Sequence, residues 1–297
     1  MNKPKMILMV GLPASGKSTK AKELAEKYDA AIFSSDALRE EMFNDINNQE
    51  HNQEVFVELH KRIKDCLRSG KSAVYDACSI NYKRRMAFLA ELKNIPCEKI
   101  CVLMAIPYSV CVHRNRDRDR KVPISVVKRM YRNFHIPYWF EGWDDIQVEY
   151  GGYAKYFGDP INFYHDFKYY NQDNSHHTLT LGEHCRHVSL NVGYDMDLVY
   201  AGMLHDCGKP HCATHYNKNG ELDTDCHYYD HQYVGSYISL FYNYGDINPL
   251  DVAVLIEWHM QPYFNKEEKT KNKYRKLWGE ELYQKIMILH EADRAAK

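Results

Sequence analysis

Eight residues near the start of the chain have the types and spacing that hold phosphate groups. Residues 11–18 read GLPASGKS, in which two glycines, a lysine and a hydroxyl stand at fixed intervals. The backbone N–H groups of such a loop, and of a helix after it, point at phosphate oxygens. In this pattern the lysine reaches the β- and γ-phosphates of ATP, and the following hydroxyl ligates Mg²⁺. The predicted ATP and Mg²⁺ site therefore comprises Gly11, Ser15, Gly16, Lys17, Ser18 and Thr19.

Two aspartates and an arginine run could complete a phosphoryl transfer. Asp36 could cap a helix, and it could also accept the proton of an attacking hydroxyl. Asp76 could cap a helix, hold Mg²⁺ through water or contact the substrate. A charge run such as residues 114–121 is usually a solvated helix face. An arginine placed over the phosphates can instead stabilise the charge on the transferring group.

The histidines indicate a second chemistry. Four of the 16 lie before Tyr150 and twelve lie after it. His205 and Asp206 are adjacent at the end of a helical, apolar stretch, so both can reach one ion. Further candidates for metal ligands lie in other segments that read as helical, at His184, His231, His259 and Asp293. We interpret the remaining histidines at 176, 177, 211, 215, 227 and 290 as surface or core groups, and leave His187 unassigned.

The elements that must position these residues differ between the two halves. Short apolar stretches at residues 6–10, 30–33, 73–75 and 100–106 alternate with helical segments, the first being Lys17–Tyr28. This alternation predicts a parallel sheet with helices on both faces, in which ligands lie beyond the carboxyl ends of the strands. The phosphate loop, Asp36 and Asp76 all follow strands. The second half reads as helical, and the Gly-, Asn- and Tyr-rich residues 151–175 are predicted to link the halves.

The first half resembles the 5′-kinase domain of phage polynucleotide kinase. The resemblance lies in GLPASGKS, in Asp36-x-x-Arg39 and in Arg114-Asn115-x-x-Arg118 before Val122-Pro123. It implies that Lys17 and Asp36 are catalytic, with Asp36 as the general base, and that Arg39 contacts the acceptor phosphate. It also implies that Arg118 is the arginine of a lid, with Arg116 and Arg120 as alternatives, because the interval to Pro123 is short.

The second half resembles the HD phosphohydrolase superfamily, an all-helical, metal-dependent family. His205-Asp206-Cys207-Gly208-Lys209-Pro210 matches its signature, and His184 and Asp293 fit its first and last ligands. The resemblance implies that His231 and His259 add the ligands of a two-metal site, that Asp206 bridges the ions, and that Lys209 binds a substrate phosphate. One or two ions of Mn, Fe, Co, Ni or Zn suit such ligands.

Composition limits the partners of the protein. The 297 residues suffice for two domains, and we expect an α/β P-loop kinase domain at 1–150, a linker, and an all-α HD domain at 176–297. A net charge of −1 provides no global field toward nucleic acid or membrane. The nine cysteines show no disulfide framework, and no apolar run is long enough for a membrane helix, so we expect a cytoplasmic protein with reduced thiols.

Three functions agree with these features. The first is a bifunctional end-healing enzyme that phosphorylates a 5′-OH end and removes a 3′-phosphate or opens a 2′,3′-cyclic phosphate, with RNA favoured over DNA. The second is a nucleoside or metabolite kinase joined to a nucleotide phosphohydrolase. The third is an ATP-sensing regulator that gates the HD domain without turnover; Asp36 and Arg118 argue against it, because sensing needs neither.

Overall fold

The chain forms two compact units in the computed structural model, which describes residues 3–175, 178–265 and 267–296. The first unit contains Met1–Val127 and Pro137–Gly151, and the second contains Lys128–Ile136 and Gly152–Lys297. The predicted linker at 151–175 therefore falls almost entirely within the second unit, where it includes a helix at Ile161–Phe167.

The first unit is built on a five-stranded sheet whose neighbouring strands are all parallel. The strand order is β2-β3-β1-β4-β5, so the strand before the phosphate loop lies at the centre. The five strands are β1 (Lys5–Val10), β2 (Ala30–Ser34), β3 (Ser72–Asp76), β4 (Glu98–Met104) and β5 (Asp145–Glu149). The helices before Gly151 are α1 (Lys17–Tyr28), α2 (Ser35–Phe43), α3 (Asn52–Arg68), α4 (Tyr82–Glu91), α5 (Tyr108–Arg116) and α6 (Ile124–Arg132).

Apolar runs explain why four of these strands could be predicted and the fifth could not; β2 lies at one edge and has no buried residue, but its sequence AAIFS still carries an apolar run. Residues 6–10 of β1 are fully buried, and the apolar residues of β4 are buried with them, which produces continuous apolar runs. In contrast, β5 has the sequence DIQVE, and only Ile146 of it is buried. An edge strand of this kind has no apolar run for periodicity to detect.

A buried ion pair holds the first unit together away from the phosphate loop. The Arg85 guanidinium donates to both carboxylate oxygens of Glu141, at 2.7 and 2.6 Å, and the two side chains are 1% and 0% exposed. Arg85 also donates to the carbonyl of Ser79, and Trp143 donates its indole N–H to Glu141. The pair therefore links α4 to the chain before β5, and the bond to Ser79 adds the loop after β3.

The second unit is mostly helical, with a hairpin of β6 (Thr214–Tyr216) and β7 (Leu222–His227) as an addition to the expected all-α fold. Helices α9 and α12 are apolar around most of their circumference, as expected for helices at the centre of a core. The helices are α7 (Ile161–Phe167), α8 (Leu181–Asn191), α9 (Met196–Leu204), α10 (Lys209–Cys212), α11 (His231–Ser239), α12 (Pro249–Trp258), α13 (Gln261–Phe264), α14 (Glu268–Trp278) and α15 (Glu280–Ala295).

The segment Lys128–Ile136 is held within the second unit by one buried carboxylate. Glu257, which is 2% exposed, accepts hydrogen bonds from the ring of His135 at 2.6 Å and from the backbone N–H of Ile136 at 2.8 Å. Phe134 packs edge-to-face on Tyr237, with ring centroids 4.8 Å apart. The second unit is therefore built from residues on both sides of the sequence boundary predicted at 150.

Among the described residues, no helix is both long enough and apolar enough to cross a membrane. All nine cysteines are free thiols.

The Arg85–Glu141 pair generates a stability prediction. Replacing Arg85 with Met leaves the Glu141 carboxylate buried without its main partner, and we expect a loss of about 3–5 kcal/mol in the stability of the first unit. The measurement is urea-dependent hydrogen exchange of peptides from β1 and β4. The double variant Arg85→Met/Glu141→Leu should recover part of this loss, and a double variant less stable than Arg85→Met would contradict the account.

Candidate phosphate and metal sites

The loop between β1 and α1 has the backbone geometry of a phosphate cradle. Ala14 and Gly16 both adopt positive φ, at 62° and 93°, which turns successive N–H groups toward one side. A Cβ on Gly11 would lie 2.7 Å from the Ser15 Oγ and 3.0 Å from the Met104 Cβ. Glycine is therefore required at position 11 for the loop to pack against β4.

The side chains of the loop fit the phosphates of ATP. The Lys17 ammonium is 8% exposed and donates to the carbonyls of Gly11 at 3.0 Å and Leu12 at 2.7 Å, so it is held across the loop. The Ser15 hydroxyl is buried and has no hydrogen-bond partner among the described residues. Ser18 and Thr19 are exposed in the first turn of α1, where a hydroxyl can ligate Mg²⁺.

Asp36 lies in the first turn of α2, directly beyond β2. The cap of α2 is Ser34, whose hydroxyl accepts from the N–H of Ala37, so the Asp36 carboxylate is available for another role. One of its oxygens accepts from Arg39 at 2.9 Å, and the other accepts from Arg120. The structure thus brings Asp36 and Arg39 together, with Arg120 as a third member.

Arg39 is almost completely buried. Its side chain donates to Asp36, to the carbonyl of Ser35 at 3.3 Å and to the Asn52 side chain at 2.6 Å, and the residue is 5% exposed. The contact of Arg39 with an acceptor phosphate, which the resemblance implies, therefore requires a rearrangement of this network.

Arg120, rather than Arg118, lies at this carboxylate. Arg118 is exposed, as is Arg116, whereas Arg120 also donates to the Asn47 side chain at 3.1 Å and to the carbonyl of Ile46 at 3.2 Å. The loop that carries both arginines is fixed by Asn115, whose buried amide exchanges two hydrogen bonds with the backbone of Val122.

Asp76 is the last residue of β3 and is buried. It pairs in register with Ser34, at the end of the neighbouring strand β2. This places Asp76 at the edge of the sheet where β1 continues into the phosphate loop, as expected for a parallel sheet.

In the second unit, the six predicted metal ligands form one buried cluster, which we call the HD cluster: His184, His205, Asp206, His231, His259 and Asp293. The Nε2 atoms of His184 and His205 are 3.2 Å apart, and those of His231 and His259 are 3.3 Å apart. The cluster therefore contains two pairs of converging imidazoles, supplied by α8, α11 and the ends of α9 and α12.

Every imidazole of the HD cluster is oriented by a backbone carbonyl. The Nδ1 atoms of His205 and His259 lie 2.9 and 2.7 Å from the carbonyls of Gly202 and Ile256, in the last turns of their own helices. Those of His184 and His231 lie 2.6 and 2.7 Å from the carbonyls of Ala296 and Tyr228. An Nδ1–H that donates to a carbonyl leaves Nε2 as a lone pair, which is the form that binds metal.

Asp206 lies between the two imidazole pairs. One of its oxygens is 3.3 Å from Nε2 of His205 and 3.6 Å from that of His184. The other is 3.2 Å from Nε2 of His231 and 3.9 Å from that of His259. A carboxylate with one oxygen toward each pair has the arrangement of a bridging ligand.

Asp293 completes the His184–His205 side of the HD cluster. One oxygen is 3.1 Å from Nε2 of His184, and the other accepts from the hydroxyl of Tyr263 at 2.9 Å. Burial alone would raise the pKa of Asp293, but hydrogen bonds from His184 and His205 outweigh burial and hold this pKa well below its usual range. Asp293 is therefore a carboxylate at neutral pH.

Charge and burial prepare the cluster for cations. Burial would raise the pKa of Asp206, but the neighbouring Lys209 and His205 hold it well below its usual range. Burial and the other imidazoles lower the pKa of His259 to about 3, so its ring is neutral. Two imidazole Nε2 atoms that lie 3.2–3.3 Å apart can share either a proton or a bound cation, and this set of imidazole and carboxylate donors fits divalent transition metals.

Lys209 is committed to the HD cluster rather than open to solvent. Its ammonium is 2.6 Å from Asp206 and 2.7 Å from the side-chain oxygen of Gln172, and the residue is 4% exposed. Gln172 is itself buried and donates to the carbonyl of Leu179. Binding of a substrate phosphate by Lys209 stays a prediction, and in this geometry the ammonium would have to serve Asp206 as well.

Sequence reasoning missed several residues of these sites. Gln172, Tyr263, Asn47 and Asn52 belong to no motif, and each acts by touching a motif residue that is distant in sequence. The sequence motif places Arg120 only as an alternative to Arg118. The length of the interval to Pro123 was the one signal that pointed to it.

Comparison with known proteins agrees with the two folds. Residues 6–137 match the AAA domain family and residues 174–297 match the HD domain family. The chain is also similar to L-seryl-tRNA(Sec) kinase from Methanococcus maripaludis, with 26% identity over 151 residues. That match covers 48% of this chain and 58% of the relative, so the chain spans less than two thirds of the relative's length.

Some solved structures are similar to part of the chain at a low level. A chain of the Pnkp1/Rnl/Hen1 RNA repair complex has a TM-score of 0.39 and 16% identity, with 45% of this chain and 44% of that chain covered. A gluconokinase from Sinorhizobium meliloti 1021 has a TM-score of 0.38 and 17% identity, with 51% and 85% covered. These values do not bear on function. The two family matches confirm the predicted order, a P-loop kinase-type domain followed by an HD domain, and together indicate an enzyme.

The HD cluster predicts the metal content of the protein. Protein purified without chelator should hold about two transition-metal ions per chain, His259→Ala should keep about one, and Asp206→Ala should keep almost none. Mass spectrometry of the metals in the purified protein measures this. His211→Ala, which changes an exposed histidine outside the cluster, is the control. A single ion that is unaffected by His259→Ala would contradict the two-ion assignment.

Proposed function

We propose that the chain transfers the γ-phosphoryl group of ATP to a hydroxyl in its first half and hydrolyses a phosphoester in its second half. The observation that carries this proposal is the presence of two phosphate-handling centres on one chain. One is a phosphate loop with a carboxylate at the neighbouring strand end, and the other is a cluster that can hold two metal ions.

In the first half, most of the catalysis comes from holding the ATP phosphates and the attacking hydroxyl in the correct position. The loop N–H groups and Lys17 hold the phosphates, and Ser18 provides the Mg²⁺ ligand. Asp36, held by Arg39 and Arg120, accepts the proton of the attacking hydroxyl as the oxygen–phosphorus bond forms. Either Arg118 or Arg120 stabilises the charge on the transferring group. The contacts of Arg120 with Asp36 favour Arg120 for this role.

In the second half, the HD cluster provides the ligands and Asp206 joins the two imidazole pairs. Divalent ions bound there would activate water and polarise the phosphoryl oxygens. The hydrogen bonds from Nδ1 to the backbone keep each ring in position. Lys209 holds the Asp206 carboxylate and supplies a positive charge close to the substrate phosphate.

The substrate that we propose is the end of a broken nucleic acid, RNA in preference to DNA. The kinase would phosphorylate the 5′-OH, and the HD domain would remove a 3′-phosphate or open a 2′,3′-cyclic phosphate. Two features support this: the polynucleotide-kinase-like motifs, and the similarity to an enzyme whose name describes phosphorylation of a seryl group on tRNA. Both indicate a hydroxyl carried by a nucleic acid.

A second candidate function follows from the burial of Arg39. The resemblance implies that Arg39 binds a phosphate of the acceptor, but its guanidinium donates hydrogen bonds to Asp36 and Asn52. The first half could therefore serve an acceptor without a phosphate, such as a nucleoside or a metabolite, and the net charge of −1 agrees with a small acceptor. The second half would then act on nucleotides.

The two activities should be separable by single substitutions. With ATP, Mg²⁺ and an RNA oligonucleotide bearing 5′-OH and 3′-phosphate ends, Lys17→Ala should reduce 5′ phosphorylation by at least about 100-fold and leave 3′ dephosphorylation intact. Asp206→Ala should do the reverse. Lys22→Ala and Asp246→Ala, which change exposed residues, are the matched controls. Both ends are followed by gel electrophoresis and mass spectrometry, and wild-type protein that changes neither end across several divalent metals would rule out end healing.

The role of Arg39 distinguishes the two candidate acceptors. If Arg39 acts only on Asp36, kcat/KM for a nucleoside 3′-phosphate and for the corresponding nucleoside should agree within about threefold. Arg39→Lys should then lower kcat for both acceptors equally. If Arg39 reads the acceptor phosphate, the phosphorylated acceptor should be strongly preferred, and Arg39→Lys should raise KM for that acceptor alone.

A further inference from the structure

A cavity of about 320 Å³ lies in the second unit, where α13, α14 and α15 meet. We call it the α15 cavity. Its volume is at the lower end of the range for small-ligand sites, which are usually lined by apolar and aromatic groups with a few polar atoms. Its inner wall is formed by Pro262, Asn265, Trp278, Tyr283, Met287 and His290.

Two polar side chains in this wall lack partners. The indole Nε1 of Trp278 and the imidazole Nδ1 of His290 are buried and have no hydrogen-bond partner among the described residues. Trp278 is 6% exposed and His290 is 7% exposed. Buried polar atoms are nearly always paired, so two unpaired ones lining the same cavity indicate partners from a ligand. The indole N–H requires an acceptor, and the neutral imidazole can either donate or accept.

The wall also contains aromatic rings that their neighbours hold in place, and the ring centroid of Trp258 lies 5.3 Å from that of Trp278. The ring of Trp278 packs on Tyr274, with centroids 4.8 Å apart, and lies 6.4 Å from Tyr283. The Arg275 guanidinium, 4.7 Å from the centroid of Tyr283, helps to fix that ring. Rigid rings of this kind favour a planar ligand over a flexible chain.

The α15 cavity adjoins the HD cluster. His290 and Asp293 lie one turn apart on α15, and Tyr263 touches both of them. The ring of Tyr263 meets His290 edge-to-face at 4.4 Å, while its hydroxyl donates to Asp293 at 2.9 Å. Only the Tyr263 side chain would therefore separate a ligand at His290 from Asp293, a predicted metal ligand.

We propose that the α15 cavity binds a nucleobase and is the recognition subsite for a substrate whose phosphoester lies at the HD cluster. This inference rests on the proposed function of the second half. A nucleobase offers a flat ring for the aromatic wall, together with ring-edge acceptors and donors for Trp278 and His290. A sugar has no such face, and an aliphatic chain would leave both nitrogens unpaired. Lys271, which is half-buried, and Glu291, which is exposed, line the remainder of the cavity and suit the hydrated side of a nucleotide.

The test is a binding measurement that needs no turnover. Protein labelled with 5-fluorotryptophan gives one ¹⁹F signal for each of its four tryptophans, and the Trp278 signal is identified by its loss in Trp278→Phe. Adenosine, guanosine, cytidine and uridine are titrated separately. At least one nucleoside should shift the Trp278 signal saturably, while Trp139 and Trp143 in the first unit stay in place. Ribose 5-phosphate, which has no base, should leave Trp278 unchanged.

A second variant tests the polar contact. His290→Phe keeps the ring and the Trp278 probe, and it should weaken nucleoside binding by about fivefold or more. His113→Phe, an exposed histidine of the first unit, is the matched control and should not change binding. The ¹⁹F signals of the other tryptophans report whether each variant is folded.

The outcomes separate this inference from the proposed function. The inference is overturned if no nucleoside moves Trp278 up to about 5 mM, if only Trp139 and Trp143 respond, or if His290→Phe binds as tightly as the wild type. Failure of phosphoester hydrolysis with an intact Trp278 response would overturn the proposed activity and leave the cavity assignment standing.

Discussion

The carboxylate of Asp206 is the interaction on which the second unit is organised. Its two oxygens face different imidazole pairs, so helices that are far apart in sequence must bring their histidines to the same point. Burying this charge is tolerable only because Lys209 and the surrounding rings compensate it. Two of the backbone carbonyls that orient the rings, Gly202 and Ile256, belong to the final turns of α9 and α12, so helix length and ligand position are set together for His205 and His259.

In the first unit, a parallel sheet brings together functional residues that are distant in sequence. Parallel strands end at one edge, where the phosphate loop follows β1, Asp36 lies just beyond β2, and Asp76 is the last residue of β3. The end of each strand fixes where a loop or helix begins, and the cap Ser34 fixes where α2 begins. In both units, regular structure with a dry core positions a few charged groups that would be costly to bury alone.

Sequence alone predicted the elements that have strong local signals. The apolar runs of β1 to β4, the helix Lys17–Tyr28 and the two-part fold were visible because each follows a periodic or spaced pattern. The strand β5 was not, because its sequence DIQVE contains no apolar run, whereas β2 at the opposite edge has one. The partners of the motif residues were also hidden. Arg120 reaches Asp36 across 84 positions and Gln172 reaches Lys209 across 37, and no local rule links such pairs. The segment Lys128–Ile136 joins the second unit through Glu257 and through Phe134, which packs on Tyr237, and neither residue belongs to a motif.

The inclusion of residues 128–136 in the second unit determines where the protein can be divided into domains. The polypeptide enters the second unit at residue 128, returns to the first at 137 and leaves it again at 152. A single proteolytic cleavage between 151 and 175 would therefore not release two complete units, because the second would lack residues 128–136, which Glu257 binds. The same holds for recombination, because a helical domain exchanged at residue 150 would lack residues 128–136, which are part of its core. The two catalytic modules are thus interleaved in sequence, and a transplant of the HD domain has to carry residues 128–136 with it.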